Sequence, residues 1–192
     1  VRVLFVTNVG RYNYTEPLGL MYLSAVLKRA GHETRLAFDS VETLTEIVRK
    51  WKPQIVGYTV TTHEHTLLFD LNRKLKLVGS FFSIFGGPHA TFFPEMIEEE
   101  GVDAVCRGEG EGAIVDLADA LKRGGDVRTI PNLWVKDADG SIHNNPVRPL
   151  VEDMDSLSFP DRGLFYRLYD RPKEQGVVRF MAGRGCPFNC TF

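Results

Sequence analysis

Across residues 1–125, short runs of apolar, β-branched and aromatic residues alternate with longer stretches whose apolar positions recur every three or four residues. The short runs fit strands, and the longer ones fit amphipathic helices. Strands are predicted over 1–7, 33–38, 54–60, 82–85 and 104–107, and helices over 18–30, 41–51, 66–77, 94–100 and 113–123. Five βα units follow from that alternation, and with them crossover connections and a parallel sheet. The runs Val3-Leu4-Phe5-Val6 and Ile55-Val56-Gly57-Tyr58 have no polar face, which suits strands covered by helices on both sides. The expected fold class is α/β, a doubly wound parallel sheet. Local punctuation agrees. Gly31 is placed to close the first helix, and Asp39 with Glu42 forms a capping box for the second.

After Gly125 the rhythm changes. Asn132-Leu133-Trp134-Val135-Lys136 and Ser141-Ile142-His143 flank Asp139-Gly140, which predicts a β-hairpin. Pro146, Pro149, Pro160 and Pro172 then mark an irregular connection, with residues 151–162 read as a packed linker. Residues 176–181 read as one more short strand, running into the glycine-rich Ala182-Gly183-Arg184-Gly185. The expected organisation is an α/β domain over 1–127, a hairpin and linker over 128–175, and the start of a further domain over 176–192.

Composition adds mainly exclusions. The 192 residues are 43% hydrophobic and 25% charged with a net charge of −2, enough for one good core and too balanced for a phosphate-tracking basic face. Nucleic acid is not an expected partner. No apolar run approaches the roughly 18 residues needed to span a bilayer, and the N-terminus has a strand pattern in place of a targeting segment. The free thiols suit a reducing, cytoplasmic setting. The absence of an initiator methionine suggests a piece of a longer chain.

In a doubly wound sheet, ligands gather beyond the carboxyl ends of the strands, at the point where strand order switches. The candidate ligand-facing residues are therefore Asn8, Thr15, Pro17 and Leu18 after the first strand, and Thr59, Thr61 and Thr62 after the third. Gly86, Gly87, His89 and Thr91 follow the fourth strand, and Gly108, Glu109 and Gly110 the fifth. Glycines allow close backbone approach, and hydroxyls supply hydrogen bonds to a large, amide-studded ligand. The first loop lacks G-x-G-x-x-G, so a dinucleotide reading fails at its most diagnostic position. Glu109 and Glu111 read as exposed carboxylates at a helix N-terminus, which disfavours a phosphate there. His63-Glu64-His65 reads as a solvated helix start, since i and i+2 do not share a face. His89 either contacts a ligand or satisfies its own turn; Tyr12, Tyr14, Phe92 and Phe93 either stack on a planar ring or roof the core. Cys106 reads as a buried strand residue, and Asp161 and Arg162 either clasp two units or form an exposed ion pair.

Cys186 and Cys190 close the sequence in Arg184-Gly185-Cys186-Pro187-Phe188-Asn189-Cys190-Thr191-Phe192. Taken alone, C-x3-C is a modest metal signal. Zinc wants four ligands, usually at other spacings, and a short disulfide is conceivable. A third cysteine at the next position would complete C-x3-C-x2-C, in which three thiolates hold three irons of a [4Fe-4S] cluster and leave the fourth open.

The order and spacing of Pro17-Leu18-Gly19-Leu20-x-Tyr22-Leu23, Gly86-Gly87-Pro88-His89-x-Thr91, Arg107-Gly108-Glu109-Gly110-Glu111, Phe159-Pro160-Asp161-Arg162 and the cysteine segment resemble cobalamin-binding-domain radical S-adenosylmethionine proteins over essentially the whole chain. The resemblance implies a flavodoxin-like, Rossmann-like cobalamin domain joined to a triosephosphate-isomerase-like barrel that starts near Val177. It implies cobalamin, a [4Fe-4S] cluster on Cys186 and Cys190, and S-adenosylmethionine as cofactors. The implied partners are a small-molecule substrate and an electron donor of flavodoxin or ferredoxin type. The implied activity is methyl transfer to unactivated carbon, in which a 5′-deoxyadenosyl radical removes hydrogen from substrate. Two alternatives stay open: a non-catalytic cobalamin-binding or docking module, and a cyclase or oxidoreductase with a structural cobalamin domain. One departure from cobalamin domains that ligate the metal is the lack of D-x-H-x-x-G, as residues 8–19 contain no histidine. A lower cobalt face without a histidine ligand is expected.

Overall fold

The computed structural model describes residues 1–8, 16–169, 176, 178–185 and 188. Seven strands form one sheet: β1 (Arg2–Thr7), β2 (Glu33–Phe38), β3 (Ile55–Thr59), β4 (Phe82–Gly86), β5 (Ala104–Cys106), β6 (Leu133–Lys136) and β7 (Ile142–Asn144), in the order β2-β1-β3-β4-β5-β6-β7. The first five are parallel, and β6 and β7 extend the sheet as the expected hairpin, antiparallel to β5 and to each other. The hairpin turns through Gly140 at φ 88°, where the Gly140 N–H donates to the Asp137 carbonyl at 3.0 Å.

Helices α1 (Leu18–Arg29) and α5 (Glu111–Arg123) cover one face, and α2 (Val41–Trp51) and α3 (His65–Lys76) the other. Strand alternation divides the core between them. Val3 and Phe5 pack under α1 and α5, while Leu4 and Val6 pack under α2 and α3. All four are essentially fully buried, each stabilising the fold by about 1.5–3 kcal/mol relative to exposure. Gly31, at φ 81°, ends α1: its N–H donates to Lys28 O and the His32 N–H to Leu27 O, the paired bonds of a Schellman close.

Several expectations need correction. Helix α2 is capped by Ser40, whose Oγ accepts from the Thr43 N–H at 3.4 Å, so Asp39 is one residue too early to be the cap. The stretch 94–100 is not an α-helix. A single turn, α4 (Pro88–Phe92), precedes a 3-10 turn over Pro94–Glu98, because Pro94 lacks an N–H and forces Phe93 out of helical geometry (φ −128°, ψ 62°). Helix α5 begins two residues before the predicted start, at Glu111. No strand forms at 178–181. A strand needs a pairing neighbour, and here the Arg179 N–H donates to the Glu16 carboxylate while its carbonyl accepts from Arg162.

The connection after β7 is packed, as expected of the linker. It carries a short helix, α6 (Arg162–Tyr166), whose Leu164 and Phe165 are buried in the α1 and α5 core. Asp161 accepts from Ser24 Oγ at 2.6 Å and from Lys28 Nζ at 2.5 Å, and Arg162 donates to Glu16 at 3.0 Å. Asp161 therefore ties the connection to α1 and Arg162 ties it to the residues just before α1, and the two do not form an exposed ion pair with each other. No helix among the described residues is long and apolar enough to cross a membrane.

Candidate functional site

The strand order switches between β1 and β3, since β2 lies on one side of β1 and β3 with its successors on the other. Two adjoining cavities open at that point. The outer one, about 730 Å³, is lined by Thr7, Asn8, Glu16, Thr59, Thr61 and His63 together with the start of α1. The inner one, about 320 Å³, lies under α1 and α5 and shares Gly19, Leu20 and Thr59 with the first.

The inner cavity exists because a side chain is missing from the row that faces it. Phe5, Gly57 and Ile84 are register partners across β1, β3 and β4, and all three line the cavity. A Cβ on Gly57 would lie 3.1 Å from Phe5 Cδ1. Gly86, Gly87, Gly108 and Gly110 continue the glycine lining, and Leu20, Leu23, Ile114 and Cys106 make the rest apolar. A Cβ on Gly110 would stand 3.3 Å from Leu23 and 3.6 Å from Cys106 Sγ. Such a slot admits a flat apolar group, with hydroxyl and amide groups waiting at its mouth.

Most of the predicted residues come together here. Asn8, Pro17, Leu18, Thr59 and Thr61 line the outer cavity, and Gly86, Gly87, Gly108, Glu109 and Gly110 the inner one. Thr62, His89 and Thr91 line neither and support the loops. Thr91 Oγ1 donates to Gly87 O at 3.0 Å and accepts from the Gly108 N–H at 3.1 Å, tying the fourth loop to the fifth. Buried His89 lies 3.2 Å from Thr62 Oγ1 through Nδ1 and stacks on His65, with ring centroids 4.4 Å apart. Burial and the neighbouring His65 both push its pKa down, so it is neutral near pH 7. Thr15, Tyr12, Tyr14, Cys186 and Cys190 lie outside the described residues.

Two electrostatic expectations are overturned. Glu64 is not solvated. It is buried at the start of α3 and accepts from Thr61 Oγ1 at 3.0 Å. Glu109 and Glu111 are not free carboxylates either. Arg184 Nη1 donates to Glu109 Oε1 at 2.8 Å and Nη2 to Glu111 Oε1 at 2.5 Å. Burial works against the Arg184 charge, yet the bonds to Glu111 and Glu109 outweigh it and raise its pKa. Phe92, 77% exposed, does not roof the core. Cys106 is buried as expected, and burial with the adjacent Glu111 charge pushes its thiol up to about 12, leaving it unreactive. Among the described residues, no group of three or more His, Cys, Asp and Glu side chains is arranged to hold a metal ion.

Three contributors escape a reading of sequence. Gly57 had a usable signal, since glycine inside an apolar strand marks close backbone approach. Glu16 and Arg184 had none. The Glu16 side chain is completely buried, holding Arg162 Nη1 at 3.0 Å, Tyr166 OH at 2.5 Å and the Arg179 N–H at 3.1 Å.

A family model described as the B12 binding domain matches residues 6–118, a span that runs from the end of β1 into α5 and holds all of the outer cavity's lining and most of the inner one's. The chain belongs to the B12-binding domain family. It is 37% identical over 189 residues to an uncharacterized methyltransferase of Pyrococcus horikoshii, covering 92% of this chain and 40% of that protein. It is 28% identical over 195 residues to the anaerobic magnesium-protoporphyrin IX monomethyl ester cyclase of Rubrivivax gelatinosus, covering 92% and 34%. The chain thus spans less than half the length of these relatives. Among solved structures it resembles the cobalamin-dependent S-adenosylmethionine radical enzyme OxsB with aqua-cobalamin bound, at TM-score 0.73 and 18% identity over 86% of this chain and 24% of that one. It also resembles the radical S-adenosylmethionine methyltransferase TsrM of Kitasatospora setae, at TM-score 0.68 and 21% identity over 83% and 31%. At those identities the likeness establishes the shared fold.

Proposed function

We propose that this chain is the corrinoid-holding part of a cobalamin-dependent radical S-adenosylmethionine enzyme that methylates an unactivated carbon. The observation that carries the reading is the glycine-floored double cavity at the β1/β3 switch point of a B12-binding domain chain. Its donor set suits cobalamin. Thr59, Thr61 and Asn8 offer hydrogen bonds to the amides of a corrin edge, and the slot over Gly57, Gly86 and Gly110 suits an apolar nucleotide base. Bound there, cobalamin would supply a methyl group, and a cluster on the cysteine loop with S-adenosylmethionine would supply the radical that activates the acceptor carbon. The protein's own part is to hold these groups in register and to keep water from them. Methyl transfer is favoured over ring closure by the higher identity to the Pyrococcus horikoshii methyltransferase than to the cyclase. Cys186 and Cys190 are assigned to the cluster; the substrate and a flavodoxin- or ferredoxin-type electron donor complete the scheme.

The test is anaerobic reconstitution of the full-length gene product with iron, sulfide and hydroxocobalamin. The reading expects corrinoid absorption together with a [4Fe-4S] signal that disappears in Cys186→Ala. Corrinoid without a cluster would leave a carrier or docking module, and neither signal would remove the reading altogether.

A further inference from the structure

Residues 178–185 run past the inner cavity and are held near both ends by carboxylates of the α/β unit. At one end the Arg179 N–H donates to Glu16 Oε2 at 3.1 Å, and Arg162 Nη2 donates to the Arg179 carbonyl at 2.6 Å. At the other, the two terminal nitrogens of Arg184 reach separate carboxylates, Glu109 and Glu111, and its guanidinium sits 5.4 Å from the Tyr22 ring centroid. Between the anchors, Met181 faces the inner cavity, which Arg184 also lines. Glu109 and Glu111 flank Gly110, so the turn that grips Arg184 is also part of the cavity wall. Glu109 is fixed in turn by the Val151 N–H, which donates to Oε2 at 2.6 Å. Arg184 stands two positions before Cys186, and two residues of chain reach at most about 7 Å.

We propose that Arg184 is a positioning residue: its clamp on Glu109 and Glu111 seats residues 178–185, the segment that leads to Cys186, against the corrinoid cavity, so that filling the cavity and seating this segment are coupled. This rests on the corrinoid reading above. A planar guanidinium suits the task, because its two terminal nitrogens are held apart in one rigid fork that meets two separate carboxylates, whereas a lysine ammonium is a single point of charge on a flexible stem. Coupling is reciprocal, so a ligand that tightens the turn must also tighten the segment.

The 192-residue chain tests this through trypsin cleavage after Arg179, followed by mass spectrometry, in wild type, Arg184→Met, Glu109→Gln with Glu111→Gln, and all three together. Without ligand, each variant should be cut about tenfold faster than wild type, equivalent to about 1.4 kcal/mol. The triple variant should be no faster than either parent, because the pairs share one interaction. Hydroxocobalamin should slow cleavage of wild type at least threefold and leave Arg184→Met unchanged. Arg184 lies outside the sheet and its helices, so Arg184→Met keeps the fold even where the glutamine pair weakens it; far-UV circular dichroism checks both. Equal cleavage of wild type and Arg184→Met, or additive effects in the triple variant, overturns the clamp. Hydroxocobalamin that binds by absorption but leaves wild-type cleavage unchanged overturns the coupling. Hydroxocobalamin that does not bind at all overturns the corrinoid reading and the coupling with it, while cleavage without ligand still decides the clamp.

Discussion

Gly57 is where the cavity argument can be broken most cleanly. A methyl at this position would come within 3.1 and 3.2 Å of the Phe5 ring and 3.6 Å of Ile84, and any longer side chain must extend into the slot. Gly57→Val therefore places branched carbons where an apolar base would lie. Overpacking of that kind costs about 1–3 kcal/mol. If the cost falls on the bound state, at 1.4 kcal/mol per factor of ten the corrinoid Kd rises about 5- to 140-fold. The free protein gives some of this back, because a β-branched residue suits a strand better than glycine. The assay is an absorption titration with hydroxocobalamin beside a thermal melt. Gly86→Ala is the companion variant: its added Cβ meets nothing closer than Cys106 Cβ at 3.8 Å, so the fold has room for it and a loss of affinity would report on the ligand alone. Wild-type affinity in both variants, with unchanged melting, would refute the placement of any part of the corrinoid in the inner cavity.

Other consequences follow from the anchoring groups. Hydrogen bonds from Lys28 and Ser24 outweigh the upward push of burial on Asp161 and hold its carboxyl below the usual 3.8. The stability this contributes is present above pH 3.8 and is lost as pH falls through the lowered value, so the urea-unfolding gap between wild type and Asp161→Asn should hold steady from about pH 7 to 5 and narrow as the pH is taken below 3.8. A constant gap would show that the carboxylate charge is not what matters. Glu16→Gln keeps the shape but removes the charge that holds Arg162. A loss of about 1–3 kcal/mol is expected by denaturant unfolding, and a change under about 0.5 would contradict the buried hub. Cob(II)alamin bound to the chain should give an electron paramagnetic resonance spectrum without imidazole nitrogen splitting. Such splitting, lost in His63→Ala, would make His63 in the outer cavity an axial ligand.

The fold was largely legible because its signals are local. Val3 to Val6 is apolar on both faces only because helices cover both, Gly31 must take a positive φ, and Asp139-Gly140 turns the hairpin. The misses are tertiary. Nothing near Glu109 and Glu111 in sequence announces that Arg184, more than 70 positions away, neutralises them. Glu16 is marked by nothing in its local sequence; its partners Arg162, Tyr166 and Arg179 lie some 150 positions away. The run at 176–181 has strand composition, but among the described residues 178–181 pair with no strand, and composition alone cannot supply one. The capping error at Asp39 is of a different kind, a choice between adjacent acceptors that backbone geometry decides in favour of Ser40.

The central claim, that the β1/β3 switch-point cavities hold a corrinoid, is tested most directly by titrating the 192-residue chain with hydroxocobalamin and following the corrin absorption bands. The account predicts a saturable spectral change at one equivalent, weakened by Gly57→Val and by Gly86→Ala. A spectrum identical to free hydroxocobalamin at every protein concentration would contradict it.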